Sequence, residues 1–186
     1  MNIEATIRRL SLGSDEEITV ILDSLKKRVL PKEAFLVRAG QVCDEYFFIE
    51  KGSLRLYYEK EEMDYTVWIG TEGEVFTNLE SYLDGSNSRI YIQALEASVV
   101  FSIQKSESDV LAKRSNPYNT LLRKTVEIAF VNLSKNVISF QSDEAEERYQ
   151  RVLKEKNWLA KYPLKYISSF IGVTQSTLSR IRARKR

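Results

Sequence analysis

Tyr166-Ile167-Ser168-Ser169-Phe170-Ile171-Gly172-Val173-Thr174-Gln175-Ser176-Thr177-Leu178-Ser179-Arg180-Ile181-Arg182-Ala183-Arg184-Lys185-Arg186 reads as two helical segments around a glycine turn, ending in a run of positive charge. Tyr166, Ile167 and Phe170 supply the apolar side of a first helix, and Gly172 permits the sharp turn after it. Thr174 is placed to N-cap a second helix, whose Leu178 and Ile181 pack back onto the first. Gln175, Ser176, Ser179 and Arg180 then stand on the outer face, where they can hydrogen-bond base edges and phosphates. A plain helical hairpin with a solvated basic face has the same period. The polar outer residues favour a helix-turn-helix that reads double-stranded DNA. Its expected contact set is Thr174, Gln175, Ser176, Thr177, Ser179, Arg180, Arg182, Arg184, Lys185 and Arg186.

The charge distribution agrees with that reading. From Arg148 onward there are eleven Lys/Arg and one acidic residue, Glu155, a net +10, whereas the preceding 147 residues hold 17 basic and 25 acidic side chains, a net −8. A basic end on an acidic body fits a nucleic-acid-binding module joined to a domain with another task. A single cysteine, Cys43, excludes an intramolecular disulfide and any one-chain thiolate cluster for zinc or iron–sulfur. The absence of histidine removes the usual haem and zinc ligand and the usual general base. No apolar run reaches membrane-spanning length, and no signal-peptide core opens the chain, so a cytoplasmic location is expected.

Working back toward the N-terminus, Asn116-Pro117 opens a long helix expected to run to about Gln141. Leu122, Val126, Ala129, Leu133, Val137 and Phe140 form a stripe close to a coiled-coil seam. A single helix packed on its own domain would account for part of it. A homodimer axis accounts for all of it, and places two readers on half-sites about one helical turn apart. Ser142-Asp143-Glu144 marks a hinge, followed by a helix from about Ala145 to Asn157.

From Val29 to about Ile103 the period becomes that of short strands. Ala34–Arg38, Tyr46–Glu50, Ser53–Tyr58, Tyr65–Ile69, Arg89–Leu95 and Val99–Ile103 are rich in aromatic and β-branched residues. Turn signals at Ala39-Gly40, Lys51-Gly52, Thr71-Glu72-Gly73 and Asp84-Gly85 divide them, which predicts a double-sheet or barrel-like domain. Residues 1–28 are expected to be helical, with Ile3, Ile7 and Leu10 in a first helix. Ser14 caps a second, with Glu17 three residues on.

This order of elements resembles the Crp/Fnr family of transcription regulators over nearly the whole chain. The resemblance rests on Val37-Arg38-Ala39-Gly40, on Tyr46 through Leu54, on Gly73-Glu74-Val75-Phe76 and on Gly172 through Ile181. It implies an α+β protein: a β-roll sensor domain of the cyclic-nucleotide-binding type at 1–112, a dimerisation helix at 113–141, and a helix-turn-helix domain at 142–186. The chain ends too soon for the family's β-hairpin wing, and Arg182, Arg184, Lys185 and Arg186 are expected to hold phosphates in its place. The resemblance implies DNA, a second copy of the chain and, as a candidate, RNA polymerase as partners.

The family's nucleotide-binding members carry Gly-Glu-Leu, whose Glu holds the ribose, and later Arg-Ser-Ala, whose Arg holds the cyclic phosphate. Here those places read Thr77-Asn78-Leu79 and Ser88-Arg89-Ile90. Ile90, Ile92 and Ala94 form the inward face of their strand, so Arg89 is expected to point outward, since a one-residue shift reverses a side chain's direction. A phosphate without a paired guanidinium loses its strongest bonds, which argues against cyclic AMP. Either another ligand or a pocket filled by Phe76, Tyr82 and Tyr91 remains. In the reader, Gln175 and Ser176 stand where activator-type members have Arg and Glu, while Arg180 matches a base-contacting Arg, so a different site preference is expected.

No catalytic constellation is visible, and the chain is not expected to be an enzyme: it has no nucleophile elbow, phosphate loop or metal-ligand cluster. Cys43 lacks a base or charge partner in sequence and reads as structural. The competing function is a sensing or protein-interaction module of the same fold with little DNA affinity.

Overall fold

The computed structural model describes residues 2–155 and 158–184. Lys185, Arg186 and Asn157 lie outside them. The chain divides into two compact units, Met1–Leu56 with Ile69–Ala129, and Tyr57–Trp68 with Phe130–Arg186.

Two amphipathic helices open the first unit, α1 (Ile3–Ser11) and α2 (Asp15–Asp23). Asn2 caps α1 by accepting from the Ala5 N–H, and Ser14 with Glu17 forms the expected reciprocal capping box on α2. The strands β1 (Lys26–Leu30), β2 (Phe35–Val37), β3 (Glu45–Lys51), β4 (Ser53–Lys60), β5 (Met63–Thr71) and β6 (Val75–Phe76) follow. After them come α3 (Leu79–Asp84), β7 (Tyr91–Ala94), β8 (Ser98–Gln104), α4 (Lys105–Arg114) and α5 (Asn116–Ser142). The strands make two four-stranded sheets, β1-β8-β3-β6 and β2-β7-β4-β5. This is the expected double-sheet roll with a long helix after it.

β3 runs through the middle of the first sheet, pairing antiparallel with β8 (Phe48 opposite Phe101) and with β6 (Phe48 opposite Val75). Residues Glu45 to Ile49 are all buried, so the strand is covered on both faces. Tyr46 and Phe48 join Ile3, Ile7, Leu10, Ile18 and Ile21 of α1 and α2 in one cluster, which Tyr118 and Leu121 of α5 complete. Each fully buried Phe, Ile or Leu contributes about 1.5–3 kcal/mol. Burial and the neighbouring Tyr82 push the Tyr46 hydroxyl up to about 12, and it stays neutral at all ordinary pH.

Residues 26–28 are a strand rather than the end of a helix. Lys26-Lys27-Arg28 carries no apolar period; its structure comes from pairing with Ser102, Phe101 and Val100 of β8. The segment before β7 also differs: Arg89 and Ile90 precede the strand, which begins at Tyr91. β6, α3 and α4 were not legible: β6 has two residues, α3 has six, and α4 buries little besides Ser108. α5 begins at Asn116 as expected and ends one residue past Gln141.

In the second unit the C-terminal half of α5 is followed by α6 (Ala145–Glu155), α7 (Trp158–Lys161), α8 (Leu164–Phe170) and α9 (Gln175–Ala183). The β4–β5 hairpin tip packs on α8. The Ser169 hydroxyl donates to the Asp64 carbonyl and accepts from the Thr66 N–H, both at 2.7 Å. Trp68 meets Phe170 edge to face at 6.2 Å.

Candidate nucleic-acid interface and ligand pocket

The segment expected to read DNA is built from α8, a tight turn and α9. Gly172 takes φ +72 in that turn, and a Cβ there would lie 2.7 Å from the Phe140 ring. Only glycine meets both conditions without strain. Thr174 caps α9, its hydroxyl accepting from the Thr177 N–H at 3.2 Å. Leu178 and Ile181 are buried, while Gln175, Ser176, Ser179, Arg180, Arg182 and Arg184 are exposed. Thr174 is exposed at the cap and Thr177 is half-buried. The Arg180 guanidinium donates to the Thr177 hydroxyl at 3.2 Å, so its fork is held one helical turn from the cap. Sequence periodicity placed both residues on the helix but gave no sign of this bond.

Arg148 on α6 braces the turn. Its Nε donates to the Ile171 carbonyl at 2.8 Å, its Nη1 to the Asp143 carbonyl at 2.6 Å, and its guanidinium lies 5.3 Å from the Phe140 ring centre. The hinge carboxylate Asp143 accepts from Ser139 and Ser142 and pairs with Arg151. The Ser139 hydroxyl, more than the others, holds it below the usual carboxylate range.

The expected seam on α5 is divided by the structure. Leu122 packs against the core cluster of the first unit. Val126, Ala129, Leu133, Val137 and Phe140 are exposed, Phe140 also covering the Gly172 turn. Phe130, absent from the sequence-based set, is the most exposed large apolar side chain of the helix at 68%. Val126, Phe130, Leu133, Val137 and Phe140 repeat at intervals of 4, 3, 4 and 3, the spacing of a two-helix seam.

Of the residues expected to line a β-roll pocket, only Asn78 and Ser88 bond to each other, and they do so as a neutral pair. Asn78 and Ser88 are both buried, and the Asn78 Nδ2 donates to the Ser88 Oγ at 2.7 Å. Ser88 in turn donates to the Ile90 carbonyl at 2.7 Å. Arg89 points outward, 81% exposed, and pairs with Glu80 at 3.3 Å. Thr77 donates to the Glu45 carbonyl and meets the buried Cys43 sulfur at 3.4 Å; Leu79 is exposed. Tyr82 is buried against Tyr46, and Tyr91 lies edge-on to Phe35. The β2–β7 bulge falls at Phe35/Val37, opposite Gln93 and Ile92, and leaves Arg89 on the outside.

Residues 27–115 match the cyclic nucleotide-binding domain family. The chain carries that domain on a Crp/Fnr fold. A CooA variant from Carboxydothermus hydrogenoformans superposes with a TM-score of 0.74 at 16% identity, covering 99% of this chain and 84% of that one. The c-di-GMP-responsive global regulator CLP of Xanthomonas campestris gives 0.73 at 12% identity over 92% and 91%. A candidate transcriptional regulator of the Crp/Fnr family from Eubacterium rectale gives 0.69 at 14% identity over 91% and 82%. No curated protein sequence matches the chain significantly. Among the described residues no helix is long and apolar enough to cross a membrane.

Proposed function

We propose that this Crp/Fnr-fold chain is a transcription regulator that binds DNA as a homodimer, with α9 of each copy in the major groove of one half-site. The observation that carries this reading is the polar face of α9, where Arg180 is held by Thr177 beside exposed Gln175, Ser176 and Ser179. A guanidinium fixed at that place can bond guanine O6 and N7, and Gln175 can bond adenine. Arg182 and Arg184 extend the basic surface toward phosphates. In this reading residues 1–112 sense, 113–141 pair the two copies, and 142–186 read DNA.

The test compares Arg180→Ala with Arg184→Ala on a selected site and on random DNA across a salt series. Arg180→Ala is expected to cost about 1–3 kcal/mol on the selected site and to relax one base-pair preference. Arg184→Ala is expected to weaken both DNAs alike and lower the salt slope by about one unit. Equal losses on both DNAs for Arg180→Ala would overturn this docking of α9, and no DNA binding at low salt would overturn the function.

The β-roll is proposed not to hold a cyclic nucleotide. Asn78 and Ser88 satisfy each other where a carboxylate and a guanidinium are needed, and Arg89 is committed to Glu80. Opening the Asn78–Ser88 bond for a cyclic phosphate would bury its charge without an ionic partner. Calorimetry with cyclic AMP and with cyclic GMP is expected to show no saturable heat, and a micromolar Kd for either overturns this part.

A further inference from the structure

The chain has two tryptophans, and both line one cleft of about 420 Å³ in the second unit. Trp68 comes from β5 and Trp158 from α7. Phe170 of α8 stands edge-on to both, its ring centre 6.2 Å from that of Trp68 and 4.9 Å from that of Trp158. The facing wall is one side of α5, where Asn132, Lys135, Asn136 and Ser139 succeed one another at helical spacing. This side is distinct from the stripe that runs through Phe130, Leu133 and Val137.

The two walls differ in chemistry. One is aromatic. On the other, the amides of Asn132 and Asn136 and the ammonium of Lys135 have no hydrogen-bond or ion-pair partner among the described residues. Ser139 and Arg151 at the margin are already engaged with Asp143. No Asp or Glu is among the described residues that line the cleft, so its free charge is positive. Apolar aromatic walls with a few convergent polar groups, in a volume of several hundred Å³, are what small-molecule sites present. Indole and phenyl edges receive a planar ring, and an ammonium beside two amides receives an anionic group.

We propose that this cleft binds a small planar aromatic anion of the aromatic carboxylate class, its ring against Trp68, Phe170 and Trp158 and its charged group at Lys135. The site belongs to the second unit alone and does not depend on the DNA-binding reading.

The full chain labelled with 5-fluorotryptophan gives a direct test, because its two fluorine resonances report the cleft and nothing else. Titration with 2-naphthoate is expected to shift both resonances saturably and to give one calorimetric equivalent per protomer. The neutral 2-naphthamide, of the same shape, is expected to bind about tenfold more weakly, the size of one lost charge-assisted bond. Acetate, the charge without the ring, is expected to leave both resonances in place at the same concentrations. Lys135 is exposed, so Lys135→Gln tests the anion contact without threatening the fold, and it should reduce naphthoate affinity about tenfold while leaving naphthamide unchanged. No saturable shift with naphthoate up to millimolar concentration overturns the site. Equal affinity for the acid and the amide, or indifference to Lys135→Gln, overturns the anion assignment.

Discussion

Phe130→Glu combined with Leu133→Glu is expected to sediment as a folded monomer, and the unaltered chain is expected to sediment as the proposed dimer. Eight apolar side chains between Val126 and Phe140 are substantially exposed on α5, and five of them keep heptad spacing. An apolar face of this size left open to water marks a contact surface. Phe130 and Leu133 sit at its middle, 68% and 57% exposed, so the change costs the monomer little. In a dimer, four carboxylates would be buried without partners. At about 3 kcal/mol each, their cost is of the size of the about 12 kcal/mol that holds a nanomolar complex. DNA affinity should fall with the dimer, by about 10²–10⁴-fold, because each half-site is then bound separately. Sedimentation velocity with circular dichroism as the folding control checks this, and a variant that remains a folded dimer moves the seam elsewhere.

The largest loss of stability from a single added methyl group is expected at Gly52→Ala. Lys51-Gly52 carries the chain from the first sheet into the second. Gly52 has φ +92, and a Cβ there would lie 2.3 Å from the Ser98 Oγ and 2.9 Å from the Ser98 Cα. Ser98 is poorly placed to withdraw. It belongs to β8, and its hydroxyl both donates to the Glu96 carbonyl at 2.8 Å and accepts from the Ser53 N–H at 3.3 Å. Backbone strain and overpacking together cost about 2–5 kcal/mol. For a chain of this length that lowers Tm by roughly 5–15 °C. Scanning calorimetry measures it, and a fall of less than about 2 °C would show that the turn relaxes at little cost.

The sequence made some elements plain because their signals are local. Asn116-Pro117 and the apolar repeat behind it place α5 to within a residue, and Thr174 followed by Leu178 and Ile181 outlines α9. The strands around Lys51-Gly52 announce themselves by aromatic and β-branched residues. Features made by distant partners left no such trace. Lys26-Lys27-Arg28 is a strand only because β8 lies beside it. Ser169 bonds to Asp64 and Thr66, more than a hundred residues away, and no periodicity in either segment foretells it. Arg89 faces outward as expected, although it precedes β7 and so is not placed by strand alternation. The closure of Asn78 on Ser88 was not legible: two short polar side chains ten residues apart say nothing about each other until the chain folds. Ala129 and Phe130 both fit an apolar stripe and both are exposed on α5, and what sets Phe130 apart is the large ring it offers to a partner.

The boundary between the two units falls after Leu56, after Trp68 and after Ala129, inside β4, β5 and α5 respectively. The chain therefore passes between its units three times without a loop at any crossing. Such an architecture has no natural seam for recombination. A gene fragment beginning at Ser142 would encode α6 to α9 but omit the hairpin that holds Ser169, the Trp68 ring that meets Phe170, and the Phe140 ring that fills the turn at Gly172. Transplanted alone it should be an unfolded basic peptide. The α8–α9 pair can be inherited or exchanged only with the parts of the chain that complete its core.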